Sequence, residues 1–270
     1  MLLTAPNCQA SRYWLMEGIR HGKIMEIVTI IPARSGSKRL ANKNILPLEG
    51  HPLMAYTIAA SPTTPYVTSD SEEYLDIAEK YGAIPIKRPA GLSQGDIKTD
   101  IWVIHALANI IGDPKVVIIL RPSNPFRTRL VVDSALSLFL QSDCHSLRAV
   151  SQVTEHPGKM WSIDQSSFIR PLLKFDDPVY NLPTQQIPGK YYIQNASMEI
   201  FWKSNLILYE DHSGHNIIPY ITKNYEGYDI NTDDDFIFAG ELVKRYRVKL
   251  PDLDKFLECQ SGWEKRYKRS

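Results

Sequence analysis

Cysteine is scarce. Cys8, Cys144 and Cys259 are the only three in 270 residues, and none belongs to a C-x-x-C pair. That argues against a zinc site or a disulfide framework and fits a reduced, cytoplasmic compartment. No apolar run approaches the roughly 20 residues that a membrane-spanning helix needs. Residues 1–24 lack the charged start and apolar centre of a signal peptide, so they read as a poorly ordered leader or a mis-assigned start ahead of Met25. Charge of either sign is not in excess: 31 Lys and Arg face 30 Asp and Glu, a net charge of +1. Neither nucleic acid nor an anionic membrane is expected as a partner, and any anion must be met by a local cluster. Two phosphate signatures are also missing. There is no G-x-G-x-x-G, and Ile31 stands where a Walker A motif requires its first glycine, so dinucleotide binding and P-loop hydrolysis are poorly supported.

What is present begins with length. The chain is long enough for one large domain, or a domain with an insertion, and its 43% hydrophobic content allows a sizeable core. The organising stretch is Met25–Leu48. Ile27-Val28-Thr29-Ile30-Ile31 reads as a strand buried on both faces, stopped by Pro32. A loop of small residues (Ala33, Ser35, Gly36, Ser37) and cations (Arg34, Lys38, Arg39, Lys43) follows. Small residues let backbone N–H groups approach an anion, and the cations neutralise it, so a phosphate site at the C-terminal end of a parallel sheet is expected; a solvated basic turn has the same composition.

Further elements follow in alternation. Helices are expected over 51–60, 71–81, 96–111 and 129–140, and strands over 66–70, 84–87, 115–120 and 146–150. Ser71 is a suitable N-cap and Gly82 a suitable residue just past the second helix, while His105 is expected to face the core or a neighbouring loop. This order predicts an α/β fold with a Rossmann-like, mostly parallel sheet flanked by helices. From Ser151 to Gly189 proline, glycine and glutamine become common and the alternation fails, which fits a small irregular or antiparallel insertion. A strand returns at 191–202. Near the end, alternation in Gly227-Tyr-Asp229-Ile-Asn231 puts Asp229 and Asn231 on one side of an extended segment, where two oxygen ligands suit Mg2+. Thr232 and Asp235 have capping-box spacing before a helix over 236–247, so Asp235 is expected to be structural. The tail from Leu250 reads as a docked terminal helix with a frayed basic end.

Ile31-Pro-Ala-Arg-Ser-Gly-Ser-Lys38 with Lys43-Asn44 resembles the N-terminal signature of the CMP-sugar synthetases, the acylneuraminate cytidylyltransferases. Thr68-Ser69-Asp70, Arg88-Pro89, Arg121-Pro-Ser-Asn-Pro-Phe-Arg127-Thr128, Asn195-Ala196 and Asp229-Ile-Asn231-Thr232 match further family segments in order. The likeness spans Glu26 to Lys244. It implies a fold of the nucleotide-diphospho-sugar transferase type: a nucleotide-binding core (25–150), an acceptor-binding and dimerisation insertion (151–203), and a return carrying the metal motif and C-terminal helix (204–270).

The resemblance implies that CMP passes from CTP to the anomeric hydroxyl of a nonulosonic (sialic-acid-like) acid, with release of pyrophosphate, in surface polysaccharide biosynthesis. An octulosonic acid or a sugar-1-phosphate as acceptor, and a non-catalytic nucleotide- or sugar-binding protein, are the alternatives. It also implies roles. Arg34, Lys38 and Asp229 are catalytic. Ala33, Arg34, Ser35, Lys38, Lys43, Asn44 and Arg88 bind the nucleotide. Arg121, Ser123, Gln194 and Asn195 border the acceptor, and Asp229 with Asn231 holds Mg2+. The expected partners are CTP, an acidic sugar and a second copy of the chain. Three departures stand out: Arg121 replaces a glutamine, Asn231 replaces the usual second aspartate, and Asn195 lacks the arginine that sialic-acid enzymes usually carry just before it. The extra cation suits a carboxylate.

Overall fold

The computed structural model describes residues 19–20, 23–24, 26–175 and 178–258. Three short two-stranded hairpins aside, the described residues build one seven-stranded sheet. Its strands are β1 (Ile27–Pro32), β2 (Tyr66–Ser69), β3 (Ile84–Lys87), β4 (Val116–Leu120), β5 (Ser146–Gln152), β6 (Tyr192–Trp202) and β7 (Ile217–Ile221). Across the sheet they run β7-β5-β6-β4-β1-β2-β3. All neighbours pair in parallel except β6, which runs against both β4 and β5. The ends of β1, β2, β3, β4, β5 and β7 and the start of β6 therefore share one edge, where open α/β sheets bind their ligands.

The apolar runs do what their composition dictates. All five residues of β4 are buried, Val116, Ile118 and Leu120 in one hydrophobic layer and Val117 and Ile119 in the other. The first layer packs on α1 (Leu53–Ala59), α2 (Glu72–Lys80), α4 (Arg129–Gln141) and α5 (Asp233–Lys244). The second packs on α3 (Thr99–Ala108) through Trp102, Val103 and Ala106. The result is a three-layer sandwich with both sheet faces covered, the condition under which parallel strands are stable.

Helix boundaries follow the caps. The Ser71 hydroxyl accepts from the Tyr74 N–H to start α2, and Gly82 past its end takes φ +82°. Thr232 and Asp235 form the reciprocal capping box of α5, which begins at Asp233, three residues before the sequence pattern suggests. The helix expected over 51–60 is shorter because His51–Pro52 pairs with Pro47–Leu48 as a small antiparallel hairpin. Within the insertion, Trp161–Ile163 pairs with Ile169–Pro171, and short 3-10 turns fill the rest.

Ahead of β1, the backbone pairs Ile19–Arg20 with Lys23–Ile24. The remainder of the expected leader, Cys8, Cys259 and the tail past 258 lie outside the described residues. Residues 253–258 are helical, and Leu253 is buried in the core. Among the described residues no helix is long and apolar enough to cross a membrane.

Candidate functional site

Two hollows stand out among the described residues. The larger, of about 540 Å³, lies between Pro47–Gly50 and α5 and offers no convergence of donors. The other, of about 270 Å³, sits at the shared strand edge and is lined by Arg34, Lys43, Asn44, Arg88, Arg121 and Ser123, with the Thr99 and Trp102 side of α3 opposite. Four cations on one concave surface make the second hollow the candidate anion site.

The loop after β1 is built from the inside. The Ala33 N–H donates to the Thr68 carbonyl at 3.0 Å, and the Ser35 N–H and hydroxyl donate to the two Asp70 oxygens at 2.9 and 2.8 Å. These two backbone donors, expected to cradle phosphate, are thus spent on holding the loop. Burial pushes the Asp70 carboxyl up, but the bonds from Ser35 and the charge of Arg88 overcome it and hold the group below the usual carboxylate range. The Asn44 amide donates to the Arg34 carbonyl at 3.0 Å, so Asn44 also shapes the loop. Arg34 reaches toward the Ser93 carbonyl at 3.5 Å and lies against Gly95, where an added Cβ would come within 3.3 Å of its Nη1. Arg88 is buried, donates to the Thr68 carbonyl and lies 5.7 Å from the Trp102 ring centroid. Burial lowers its pKa to about 10.

Beside the hollow, segment 228–231 meets the first loop. The Ile230 N–H donates to the Ser123 carbonyl at 2.9 Å while its side chain enters the core, which turns Asp229 and Asn231 the other way. The Asn231 Oδ1 accepts from Arg39 Nη2 at 2.9 Å and from Lys43 Nζ at 3.1 Å, and its Nδ2 donates to Asp229 Oδ2 at 2.6 Å. First-loop cations and the oxygen-bearing pair thereby meet. Burial lowers the Lys43 pKa; Asp229 opposes the shift, and Arg39 and Arg34 reinforce it. Asp229 Oδ1 is buried with no hydrogen-bond partner. An orphaned carboxylate oxygen is costly, and beside the half-buried Lys43 it fits a site that a divalent cation completes. Among the described residues no group of three His, Cys, Asp or Glu forms a metal cage, so phosphate and water oxygens would have to supply the other ligands.

Other expected residues fall elsewhere. Lys38 is exposed, does not line the hollow, and has no hydrogen bond or ion pair among the described residues. Gln194 is exposed. The Asn195 amide donates to Ser151 Oγ and Thr222 Oγ1, both at 2.8 Å, and its Oδ1 accepts from the Ser197 N–H, so it fastens the β6 bulge instead of facing the hollow. His156 accepts from the Gly158 N–H and packs on Tyr191.

The charges that sequence reading passed over lie behind the hollow. Arg127 is fully buried and donates to the Ser197 and Arg121 carbonyls and to Thr57 Oγ1; burial alone lowers its pKa to about 9. Glu199 is 3% exposed and gathers Arg121, Arg148 and His212 around its carboxylate. A lone charge, Glu199, in the apolar run Met198–Trp202 is the one available signal.

A family model described as cytidylyltransferase matches residues 28–154. The N-acylneuraminate cytidylyltransferase of Escherichia coli is 34% identical over 238 residues, which cover 84% of this chain and 54% of that protein. The chain therefore spans about half the length of that relative. The CMP-N,N'-diacetyllegionaminic acid synthase of Legionella pneumophila is 30% identical over 237 residues, covering 82% of this chain and 97% of that one. Among solved structures, a CMP:2-keto-3-deoxy-manno-octonic acid synthetase complexed with CTP superposes with a TM-score of 0.58 at 15% identity, over 82% of this chain and 99% of the other, a likeness of fold.

Proposed function

The chain belongs to the cytidylyltransferase family, and from that premise we propose that it transfers CMP from CTP to the anomeric hydroxyl of a nonulosonic acid, releasing pyrophosphate. The observation that carries the reading is the meeting of Arg39 and Lys43 with Asn231 and Asp229 beside a hollow that Arg34, Arg88 and Arg121 also line. A nucleoside triphosphate brings about four negative charges, and attack at its α-phosphorus moves charge onto the departing pyrophosphate. Arg34 and Lys43 take the phosphates, Arg39 steadies Asn231, and Lys38 reaches the outermost phosphates from the rim. Arg88, packed on Trp102, shapes the floor.

Arg121 and Ser123 face the acceptor, with the guanidinium on its carboxylate. Mg2+, when bound, would add positive charge to the phosphates, and Asp229 Oδ1 is the protein oxygen that would hold it. Asn231 keeps the other Asp229 oxygen occupied and so aims the carboxylate. Each Asp229 oxygen keeps a second lone pair, and one of these accepts the proton of the attacking hydroxyl. The names of the relatives, sialic acid in one and a legionaminic acid in the other, support a nine-carbon acid as acceptor. Exposed Trp161, Ile163, Phe168 and Ile169 on the insertion hairpin support pairing of two copies there, and the use of CTP supports a cytoplasmic setting.

Pyrophosphate release decides it. CTP, UTP, ATP and GTP are each offered with a panel of nonulosonic acids, an octulosonic acid and a sugar-1-phosphate, with and without Mg2+. Turnover confined to CTP with a nonulosonic acid is expected. Turnover only with a sugar-1-phosphate, or nucleotide binding with no release in any combination, would overturn the proposal.

A further inference from the structure

Behind Arg121 lies a cluster to which the reaction above gives no part. Arg121 Nη2 donates to Glu199 Oε1 at 2.8 Å. The other oxygen, Oε2, lies 2.8 Å from His212 Nε2 and 3.4 Å from Arg148 Nη1. On its far side, the His212 ring donates Nδ1–H to Asp100 Oδ1 at 2.5 Å, and the His212 backbone N–H reaches the same oxygen at 3.0 Å. Arg148 Nη2 approaches His212 Nε2 to 3.2 Å, but both are donors when His212 is held between two carboxylates; Glu199 is what keeps them together.

The chain of contacts Asp100–His212–Glu199–Arg121 spans the hollow. Asp100 stands in the first turn of α3, whose Thr99 and Trp102 line one side, and Arg121 lines the other. Three further bonds fix the base of Arg121: its carbonyl accepts from Thr57 Oγ1 and from both terminal nitrogens of Arg127. With its backbone anchored below and its head gripped by Glu199, the arginine is pre-aimed and loses little freedom when an anion arrives. Glu199 is nearly inaccessible, and a buried carboxylate is expensive to keep where an apolar residue would pack. Holding Arg121 in place explains its presence.

We propose that Glu199, clamped by His212, is the positioning residue for Arg121 and thereby sets the preference for an acidic acceptor. The inference rests on the cytidylyl-transfer reading for its kinetics, and a spectroscopic arm keeps the two separable. Glu199→Gln, Arg121→Gln and the double variant are compared with the wild-type chain, varying the acceptor at saturating CTP and the reverse. Glu199→Gln is expected to raise the acceptor KM by about tenfold while the CTP KM stays within about twofold, and the double variant should be no worse than Arg121→Gln alone. Equal rises in both KM values, or additive losses in the double variant, would overturn the proposal.

The Arg121 Nε is buried. Its N–H should therefore give a slowly exchanging signal in the arginine side-chain nitrogen spectrum. That signal, assigned through Arg121→Gln, should weaken or vanish in Glu199→Gln while the Arg127 signal persists. An unchanged Arg121 signal also refutes the positioning role, and it does so whether or not the wild-type protein turns over any triphosphate. Absence of pyrophosphate release from the wild type refutes the cytidylyl reading alone.

Discussion

Replacing Asn231 with aspartate tests the proposed metal assignment directly. In the structure the Asn231 amide donates to Asp229 Oδ2 at 2.6 Å, and its oxygen accepts from Arg39 and Lys43 at 2.9 and 3.1 Å. Asn231→Asp converts the donation into a carboxylate–carboxylate contact. Two like charges about 3 Å apart repel by about 1.4 kcal/mol in bulk water and about 5.5 kcal/mol at an effective dielectric of about 20. The two cations on the same oxygen each attract the new carboxylate over a similar distance, so the repulsion is offset and the variant is expected to fold. A divalent cation then meets one more full negative charge. At the solvent-screened end of that range the gain is about 1.4 kcal/mol, or about tenfold in affinity. Titration of nucleotide-free protein with Mn2+, followed by the ion's paramagnetic resonance signal, should show the tighter binding, and Asp229→Asn should show weaker binding than the wild type. Unchanged affinity in Asn231→Asp would refute that assignment, whatever the activity of the variant.

Other perturbations separate the remaining parts. Lys43→Met removes a half-buried cation of the proposed phosphate site and should lower kcat by about 10²-fold or more, whereas exposed Lys38 should cost less than about tenfold when changed to Met; single-turnover pyrophosphate release compares them. Ala196 sits at φ +56°, a conformation that favours glycine, so Ala196→Gly should raise stability by up to about 1 kcal/mol, roughly 3 °C in the thermal midpoint. Burial lowers the His212 pKa, but Glu199 and Asp100 outweigh it and the net shift is upward, with Arg148 and Asp211 the other charges at hand. A histidine whose folded value exceeds its unfolded one stabilises fully below about pH 6.5, and that contribution is lost as pH rises through the folded value. Urea unfolding at stepped pH should therefore show stability falling above about pH 6.5, with a shallower fall in His212→Gln; an identical slope in that variant would exclude the histidine as the cause.

Local signals carried much of the architecture. The β1 and β4 runs, the Ser71 cap and the Thr232–Asp235 box are short-range features, and the structure has each of them where the sequence pattern places it. The fate of individual polar atoms was not legible. Asn195 looks like a ligand-facing amide in sequence, yet Ser151 and Thr222, 44 and 27 positions away, take its donors. Ala33 and Ser35 look like free backbone donors until Thr68 and Asp70 fold over them. Glu199 is a lone charge in the run Met198–Trp202, and the placement of β6 between β4 and β5 buries it. Such partners are set by tertiary packing, which no window along the chain contains.

The reversed strand β6 has a consequence for how this molecule can diversify. Because it enters the sheet head first, the long excursion before it empties beside Arg121, while the triphosphate side is assembled by segments that are finished earlier in the chain or arrive after it. The excursion before β6 and the loop that carries Arg34 and Lys43 are thus separate stretches of sequence, and one can drift without rewriting the other.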